Sequence, residues 1–185
     1  MKRFFWSIIL LASMATVVSF TNKKNGSVGD KAQDWQIKGW IDGDGKSTDH
    51  ITVSDFEGKV VYLKLFKYGC PGCHSVGFPN LQAVHNEFGE DSSVQLLGIQ
   101  TAFSGKGYNN FEKLKIVQED YNLPIPFGHD PGATDAEYPD VMVKYQTRGT
   151  PWVIIIDKKG IVRYSDFKID SNRAIAMIKK LKEEE

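Results

Sequence analysis

The two cysteines of the chain lie three residues apart, in the string Cys70-Pro71-Gly72-Cys73-His74. Two thiols at this spacing can form and break a disulfide with each other, although C-x-x-C-H is also the attachment signature of a c-type haem. The loop that such a disulfide closes is too short to restrict the unfolded chain much. The pair therefore favours redox chemistry over a structural cross-link.

The segments around the cysteines predict where the two thiols lie. The run 60–66 (VVYLKLF) is typical of a buried central strand, and apolar residues recur at helical spacing from Phe78 to Phe88. At the start of a helix, unpaired N–H groups and the helix dipole favour the thiolate of Cys70 over its thiol. Cys73 lies on the same helix face, so we expect Cys70 to be the nucleophile and Cys73 the resolving thiol.

The rest of the chain alternates strand and helix patterns, which is typical of an α/β domain. Turn residues at 42–45 predict a hairpin, and Leu123–Phe127 predicts a short strand that its two prolines restrict to a sheet edge. The other predicted elements are strands at 94–100, 150–156 and 161–164, helices at 111–121 and 141–145, and a last helix capped by Ser171.

The order of strand, C-x-x-C, helix and a late Gly149-Thr150-Pro151 resembles the thioredoxin fold. The lead-in ITVSDFEGKVVYLKLF and the insertion before the third strong strand resemble the TlpA/ResA group of exported thiol:disulfide oxidoreductases. The resemblance covers about residues 34–184. It implies an α/β fold with a central mixed β-sheet flanked by helices, an N-terminal β-hairpin extension and a mid-domain insertion.

The resemblance also implies a site and its partners. The Thr150–Pro151 bond is expected to be cis, with its loop facing the dithiol and pairing with a bound substrate strand; Trp152 and Tyr68 are expected to line the same surface. Protein thiols or disulfides are the expected substrates, an exported apocytochrome being one example. A membrane electron donor is a possible second partner, and no cofactor is required.

Three positions depart from the pattern of that group. Gly69 stands where Trp often precedes the first cysteine, with Tyr68 one place earlier, which predicts a more open groove. Lys64 replaces a buried acid; it either favours a thiolate electrostatically or extends its amine out of the strand into solvent. The helix proline, Pro79, comes six residues after Cys73 rather than five.

The residues inside and after the motif leave the direction of exchange open. Pro71 suits the first helical turn, where a missing N–H costs nothing. The Pro71-Gly72 dipeptide does not determine the reduction potential. His74 has two interpretations: its imidazolium stabilises the Cys70 thiolate and makes the disulfide more oxidising, or it is an exposed first-turn residue. A disulfide-forming oxidase therefore stays an alternative to a reductase.

The same motif has two other interpretations, haem attachment and copper delivery. Haem attachment is disfavoured because strands, rather than a helical cage, surround the motif. Copper delivery on this fold usually uses C-x-x-x-C and a distant histidine, so the spacing here is one residue short. The candidate histidines cannot be placed near the thiols from sequence: His50, His85 and His129. We therefore expect no metal site.

The N-terminus has the layout of an export signal. A basic start is followed by an uncharged apolar run to Phe20, which predicts a signal peptide or membrane anchor over 1–22, a linker over 23–33 and the domain over 34–185. The domain is expected in the periplasm or on the outer face of the cytoplasmic membrane, touching the membrane only through this segment. Acidic and basic residues are balanced, at 23 each, and this argues against nucleic acid as a partner.

Overall fold

A computed structural model of the chain describes residues 27–37, 39–134 and 138–184. The predicted signal peptide or anchor over 1–22 lies outside the described residues, as does the first part of the predicted linker. Residues 29–32 of that linker lie against the body, since Gly29 N–H donates to Val162 O and Ala32 N–H to Gly160 O. Among the described residues, no helix is long and apolar enough to cross a bilayer.

The described residues form one seven-stranded mixed sheet in the order β2-β1-β5-β4-β3-β6-β7. β3, β4 and β5 are parallel, and the remaining pairs are antiparallel. The strands are β1 (Gly39–Ile41), β2 (Ser47–Thr48), β3 (Val60–Phe66), β4 (Val94–Thr101), β5 (Phe127–Asp130), β6 (Trp152–Ile156) and β7 (Val162–Asp166).

Helices cover both faces of this sheet, because β3, β4 and β6 are apolar on both sides. The helices are α1 (Phe78–Phe88), α2 (Lys113–Asp120), α3 (Asp140–Lys144) and α4 (Ser171–Glu183). One core contains Tyr62 and Phe66 of β3 with side chains from α1, α2 and α4. The other contains Leu63 and Leu65 with side chains from α3 and with Trp35, Ile37 and Trp40.

The structure confirms most predicted elements and corrects two. The fifth strand begins only at Phe127 and lies inside the sheet, between β4 and β1. Pro124 and Pro126 have no N–H to donate, so regular pairing starts after the second proline. The last helix is capped by Asp170 rather than Ser171, since the Asp170 carboxylate accepts from Arg173 N–H.

A π-helical segment, Cys73–Gly77, joins the dithiol to α1. Its defining hydrogen bond runs from Phe78 N–H to Cys73 O, five residues back. One extra residue is thereby accommodated in the first turns, and this explains why Pro79 follows Cys73 by six residues. Such bulges occur frequently at functional sites.

Candidate functional site: a dithiol between two walls

Both cysteines lie at the carboxyl end of β3, where the chain turns into the helix. Cys70 retains 9% of its exposure, whereas Cys73 is fully buried, and both are free thiols. β6 runs antiparallel to β3 and begins at Trp152, so the Thr150–Pro151 bond reaches the same sheet edge. Topology therefore brings together two segments that are 80 residues apart in sequence.

The Cys70 sulfur accepts a hydrogen bond from Cys73 N–H at 3.3 Å and lies 3.5 Å from the Thr150 carbonyl oxygen. Burial raises the pKa of the Cys70 thiol. Hydrogen bonds from the side chains of Cys73 and Thr150, and from the backbone N–H groups of Cys73 and Gly72, outweigh burial and bring its pKa below the usual value. Cys70 is therefore the sulfur that more readily becomes a thiolate.

Cys73 has the opposite electrostatics. Burial, and then its hydrogen bond to Cys70, raise the pKa of the Cys73 thiol to about 12. The positive charge of Lys64 acts in the other direction but is a smaller influence. The thiol with the remaining exposure therefore ionises more readily, and the fully buried one stays protonated until it reacts, which suits Cys70 as the nucleophile and Cys73 as the resolving thiol.

One side of Cys70 is formed by residues 149–151 together with Phe167, which we name the Thr150 wall. The Thr150–Pro151 bond is cis, as predicted. The Pro151 ring packs on the helix start, since a Cβ built on Gly72 would lie 3.3 Å from Pro151 Cδ. Phe167 is 39% exposed and covers Gly149. This wall is built mainly from backbone and ring atoms.

The prediction that Trp152 lines the substrate surface is wrong. Trp152 is fully buried, and its indole N–H donates to the Ser165 hydroxyl at 3.0 Å. Phe167 packs edge-on against it, with ring centroids 4.6 Å apart, and faces solvent in its place. The reason is strand alternation: Trp152 faces the same core as Ile154 and Ile156.

The other side of Cys70 is formed by residues 104–109 with Tyr68, which we name the Tyr108 wall. A Cβ built on Gly69 would lie 3.1 Å from Cε1 of Tyr108, so the tyrosine ring covers the glycine. Tyr108 also packs on Tyr68, with centroids 5.3 Å apart. The predicted opening at Gly69 is therefore filled by a side chain from the insertion.

Asn109 holds the Tyr108 wall against the dithiol. This side chain is 3% exposed, and its Oδ1 accepts from Gly69 N–H at 2.8 Å. Its amide nitrogen donates to the carbonyl oxygens of Ser104 and Gly105 at 3.0 and 2.9 Å. One buried amide thus joins both ends of the loop to the residue preceding Cys70.

Lys64 does not reach solvent from β3, because only 1% of it is exposed. Its Cε and Nζ each lie 3.0 Å from where a Cβ on Gly77 would be, and Pro151 Cβ is 3.2 Å from the same point. Burial lowers the pKa of this ammonium group to about 8, partly offset by attraction to Cys73 and Cys70. The buried cation is positioned to act on both sulfurs.

His74 is neither exposed nor paired with a sulfur. Its Nε2 donates to the Tyr68 carbonyl oxygen at 2.5 Å, and its Nδ1 lies 2.7 Å from the Tyr121 hydroxyl. The Tyr68 carbonyl can only accept, so Nε2 carries the hydrogen of that bond, and the Tyr121 hydroxyl is the partner of Nδ1. His74 therefore positions Tyr68 and α2 relative to the helix. Pro71, one residue after Cys70, is exposed at the helix start.

The described residues contain no group of three His, Cys, Asp or Glu side chains that could hold a metal ion. Of the histidines considered for copper, His129 lies near Gln100 and His50 near the Ile37 carbonyl, and neither joins the two cysteines. His85 belongs to the last turn of α1, next to Gly89. The copper alternative therefore has no complete ligand set within the described ranges.

The chain is similar to known proteins in sequence and in structure. Residues 28–165 match the family model described as AhpC/TSA family. No curated protein matches the chain. A crystal structure of a thioredoxin-like superfamily protein is 34% identical, with a TM-score of 0.74 over 84% of this chain and 97% of that one.

Two further solved structures are similar. A thiol-disulfide isomerase from Corynebacterium glutamicum is 26% identical, with a TM-score of 0.74 over 85% of this chain and 98% of that one. The thioredoxin domain of a thiol-disulfide oxidoreductase from Bacteroides vulgatus shares the fold at 23% identity, with a TM-score of 0.61 over 83% and 96%. The predicted thioredoxin-like fold is therefore confirmed.

Sequence reasoning missed three residues of the site: Tyr108, Asn109 and Phe167. Nothing in the local pattern marked Asn109 or Phe167, because both act through contacts with distant segments. Gly69 was the available signal for Tyr108. A small residue where an aromatic one is usual implies that another side chain fills the space.

Proposed function

The chain belongs to the AhpC/TSA family, whose members are redox enzymes, and on this premise we propose that it is a thiol-disulfide oxidoreductase acting through Cys70 and Cys73. The observation that carries the proposal is the contrast between the two sulfurs. Cys70 keeps 9% of its exposure and has a lowered pKa, whereas Cys73 is fully buried and has a pKa of about 12. A structural disulfide would need no such difference.

Exchange proceeds in two balanced steps. The Cys70 thiolate attacks a disulfide of the partner, forming a Cys70–partner bond, and the partner's other sulfur leaves with the electron pair and takes up a proton. Cys73 then loses its proton and attacks the Cys70 sulfur, forming the Cys70–Cys73 disulfide, and the second partner sulfur leaves as a thiol. Two electrons pass from the dithiol to the partner.

Lys64 supports the second step in this proposal. Its buried ammonium attracts a negative charge on Cys73, so it favours the thiolate that has to form there. The Thr150 carbonyl oxygen lies 3.5 Å from the Cys70 sulfur, so the backbone of a partner bonded to Cys70 passes next to Thr150. The chemistry needs no cofactor, because the electrons come from the dithiol itself.

We further propose that the domain is exported and works as a reductase. Export is supported by the basic start and apolar run over 1–22. The reductase direction is supported by the resemblance to the TlpA/ResA group. In this proposal a membrane electron donor reduces the Cys70–Cys73 disulfide back to the dithiol. Cell fractionation with N-terminal sequencing tests export: the mature protein should begin near residue 22 or stay with the membrane. A full-length protein recovered from the cytoplasm would contradict it.

The dithiol proposal is tested with serine variants and a disulfide-bonded protein substrate. Cys70→Ser should lose exchange completely, whereas Cys73→Ser should accumulate a mixed disulfide visible on non-reducing gels, because nothing resolves it. Ser75→Ala, an exposed neighbour in the same segment, is the matched control. Exchange by Cys70→Ser at the parental rate would overturn the proposal.

The direction is tested by titrating the Cys70–Cys73 pair against glutathione. A potential near roughly −270 mV supports the reductase, and one near roughly −120 mV the disulfide-forming alternative.

A further inference from the structure

The Tyr108 wall carries an exposed aromatic surface immediately beside the reactive sulfur. Tyr108 is 60% exposed, although its ring contacts Gly69 and packs on Tyr68. The ring is therefore held in place on one side and open to solvent on the other. Large apolar side chains this exposed usually need a reason when they cluster at a site.

The wall is also fixed before any partner arrives. Asn109 accepts one hydrogen bond from Gly69 N–H and donates two to carbonyl oxygens of its own loop, and the Tyr68 carbonyl is held by His74. A surface ordered in advance binds without the entropic cost of ordering a loop. The backbone that carries Tyr108 is consequently held beside Gly69 before a partner binds.

A cation adds a charge preference to the same surface. The Lys113 ammonium lies 4.8 Å from the centroid of Tyr68 and 5.7 Å from that of Tyr108. In the part of the chain that the structure describes, no ion pair joins Lys113 to a carboxylate. An acidic group on a bound segment would therefore find an uncompensated positive charge here.

We propose that the Tyr108 wall binds the apolar side chain next to the reactive cysteine of the protein partner, with Lys113 favouring an acidic residue nearby. This inference rests on the proposed thiol-disulfide exchange. Any partner sulfur bonded to Cys70 brings its neighbouring residues to Gly69, and Tyr108 covers Gly69. Tyr108 thus selects among partners without taking part in the bond exchange.

The test uses two peptides that each contain a single cysteine and an Asp two residues from that cysteine. They differ only at the residue before the cysteine, which is Phe in one peptide and Ser in the other. Each cysteine is disulfide-linked to 2-mercaptoethanol, and 2-hydroxyethyl disulfide is the small reference. The rate of loss of the Cys70 thiol of the reduced protein is measured by quenching with an alkylating agent and mass spectrometry.

The intact protein should react about tenfold faster with the Phe peptide than with the Ser peptide, as expected for burying part of one aromatic side chain. Tyr108→Ala should bring this ratio close to one, with a larger fall in the rate with the Phe peptide than in the rate with 2-hydroxyethyl disulfide. Tyr108→Phe should keep the ratio. Tyr138→Ala, which removes a tyrosine of similar exposure (64%) that packs on Phe103 instead, should also keep it.

The outcomes separate this inference from the function on which it rests. If Tyr108→Ala keeps the preference for the Phe peptide, or slows the small disulfide equally, the inference is wrong and the exchange activity stands. Equal rates for the two peptides with the intact protein also overturn it. If the intact protein reacts with none of the three disulfides, the proposed function fails and this inference fails with it.

Discussion

The Thr150 wall and the Tyr108 wall flank the same sulfur but are built in different ways. The Thr150 wall consists of a carbonyl oxygen and a proline ring packed on the helix start, with the single aromatic ring of Phe167 over Gly149. The Tyr108 wall consists of side chains from the insertion, anchored by Asn109. Backbone contacts suit any polypeptide, whereas side-chain contacts discriminate. We therefore expect the Thr150 wall to contribute general binding and thiol tuning, and the Tyr108 wall to contribute partner choice.

Lys64, which lies behind the Thr150 wall, should produce the largest effect. Below about pH 8 it is charged in both folded and unfolded states, and its burial destabilises the fold. As pH rises from about 8 to about 10.5, the folded protein releases this proton while the unfolded chain keeps it, so the free energy of unfolding rises by up to roughly 3 kcal/mol. Lys64→Met should lack this rise.

This prediction is measured by urea unfolding of the disulfide forms between pH 7 and 10.5, so that thiol titration does not enter. Lys67→Met is the control, because Lys67 lies at the rim with its ammonium 2.7 Å from the Ser104 hydroxyl. A constant difference between the parent and Lys64→Met over this range would show that Lys64 is not desolvated.

Asn109→Ala should have the next largest effect and should act on the Tyr108 wall alone. The substitution removes the partner of Gly69 N–H and of the Ser104 carbonyl, whereas the Gly105 carbonyl keeps two backbone N–H donors, so the free energy of unfolding should fall by about 2 kcal/mol. Hydrogen exchange should rise in residues 104–109 and stay unchanged at Thr150. Asn172→Ala, at an exposed position, is the control. An equal rise in hydrogen exchange in both walls would contradict the claim that Asn109 stabilises the Tyr108 wall alone.

Alanine substitutions at two glycines should distinguish the walls by a smaller amount. The new methyl of Gly77→Ala meets buried Lys64 and the Pro151 ring at 3.0 to 3.2 Å, so we expect a loss of about 1 to 2 kcal/mol in unfolding free energy. Gly69→Ala meets only the exposed Tyr108 ring and Asn109, and the ring can move aside. The midpoint temperature of thermal unfolding should therefore be clearly lower for Gly77→Ala than for Gly69→Ala.

Gly107→Ala is the reference for this pair, since a Cβ there would meet no atom within 4 Å. A Gly69→Ala loss as large as that of Gly77→Ala would mean that the Tyr108 wall is as rigid as the Thr150 wall.

Local patterns were enough to predict the elements that carry the dithiol. β3 was predicted with the bounds that it has, because a run of apolar β-formers has no other low-energy arrangement in a domain of this size. The spacing of Cys70 and Cys73 and the Gly149-Thr150-Pro151 string likewise marked one wall. The position of Pro79, six residues after Cys73, is a sequence feature of the π-helical segment. Only the structure explains it, through the hydrogen bond from Phe78 N–H to Cys73 O.

The sequence alone determined which two sulfurs lie within reach of each other and which strands and helices hold them, because those features depend on residues close together in the chain. Tertiary structure alone decided which aromatic side chains are exposed beside Cys70. Trp152 is buried because of strand alternation. Phe167 packs on Gly149, 18 residues earlier in the chain, and Tyr108 packs on Gly69, 39 residues earlier, and both rings are exposed. Such contacts depend on how distant segments meet, and no local spacing records that.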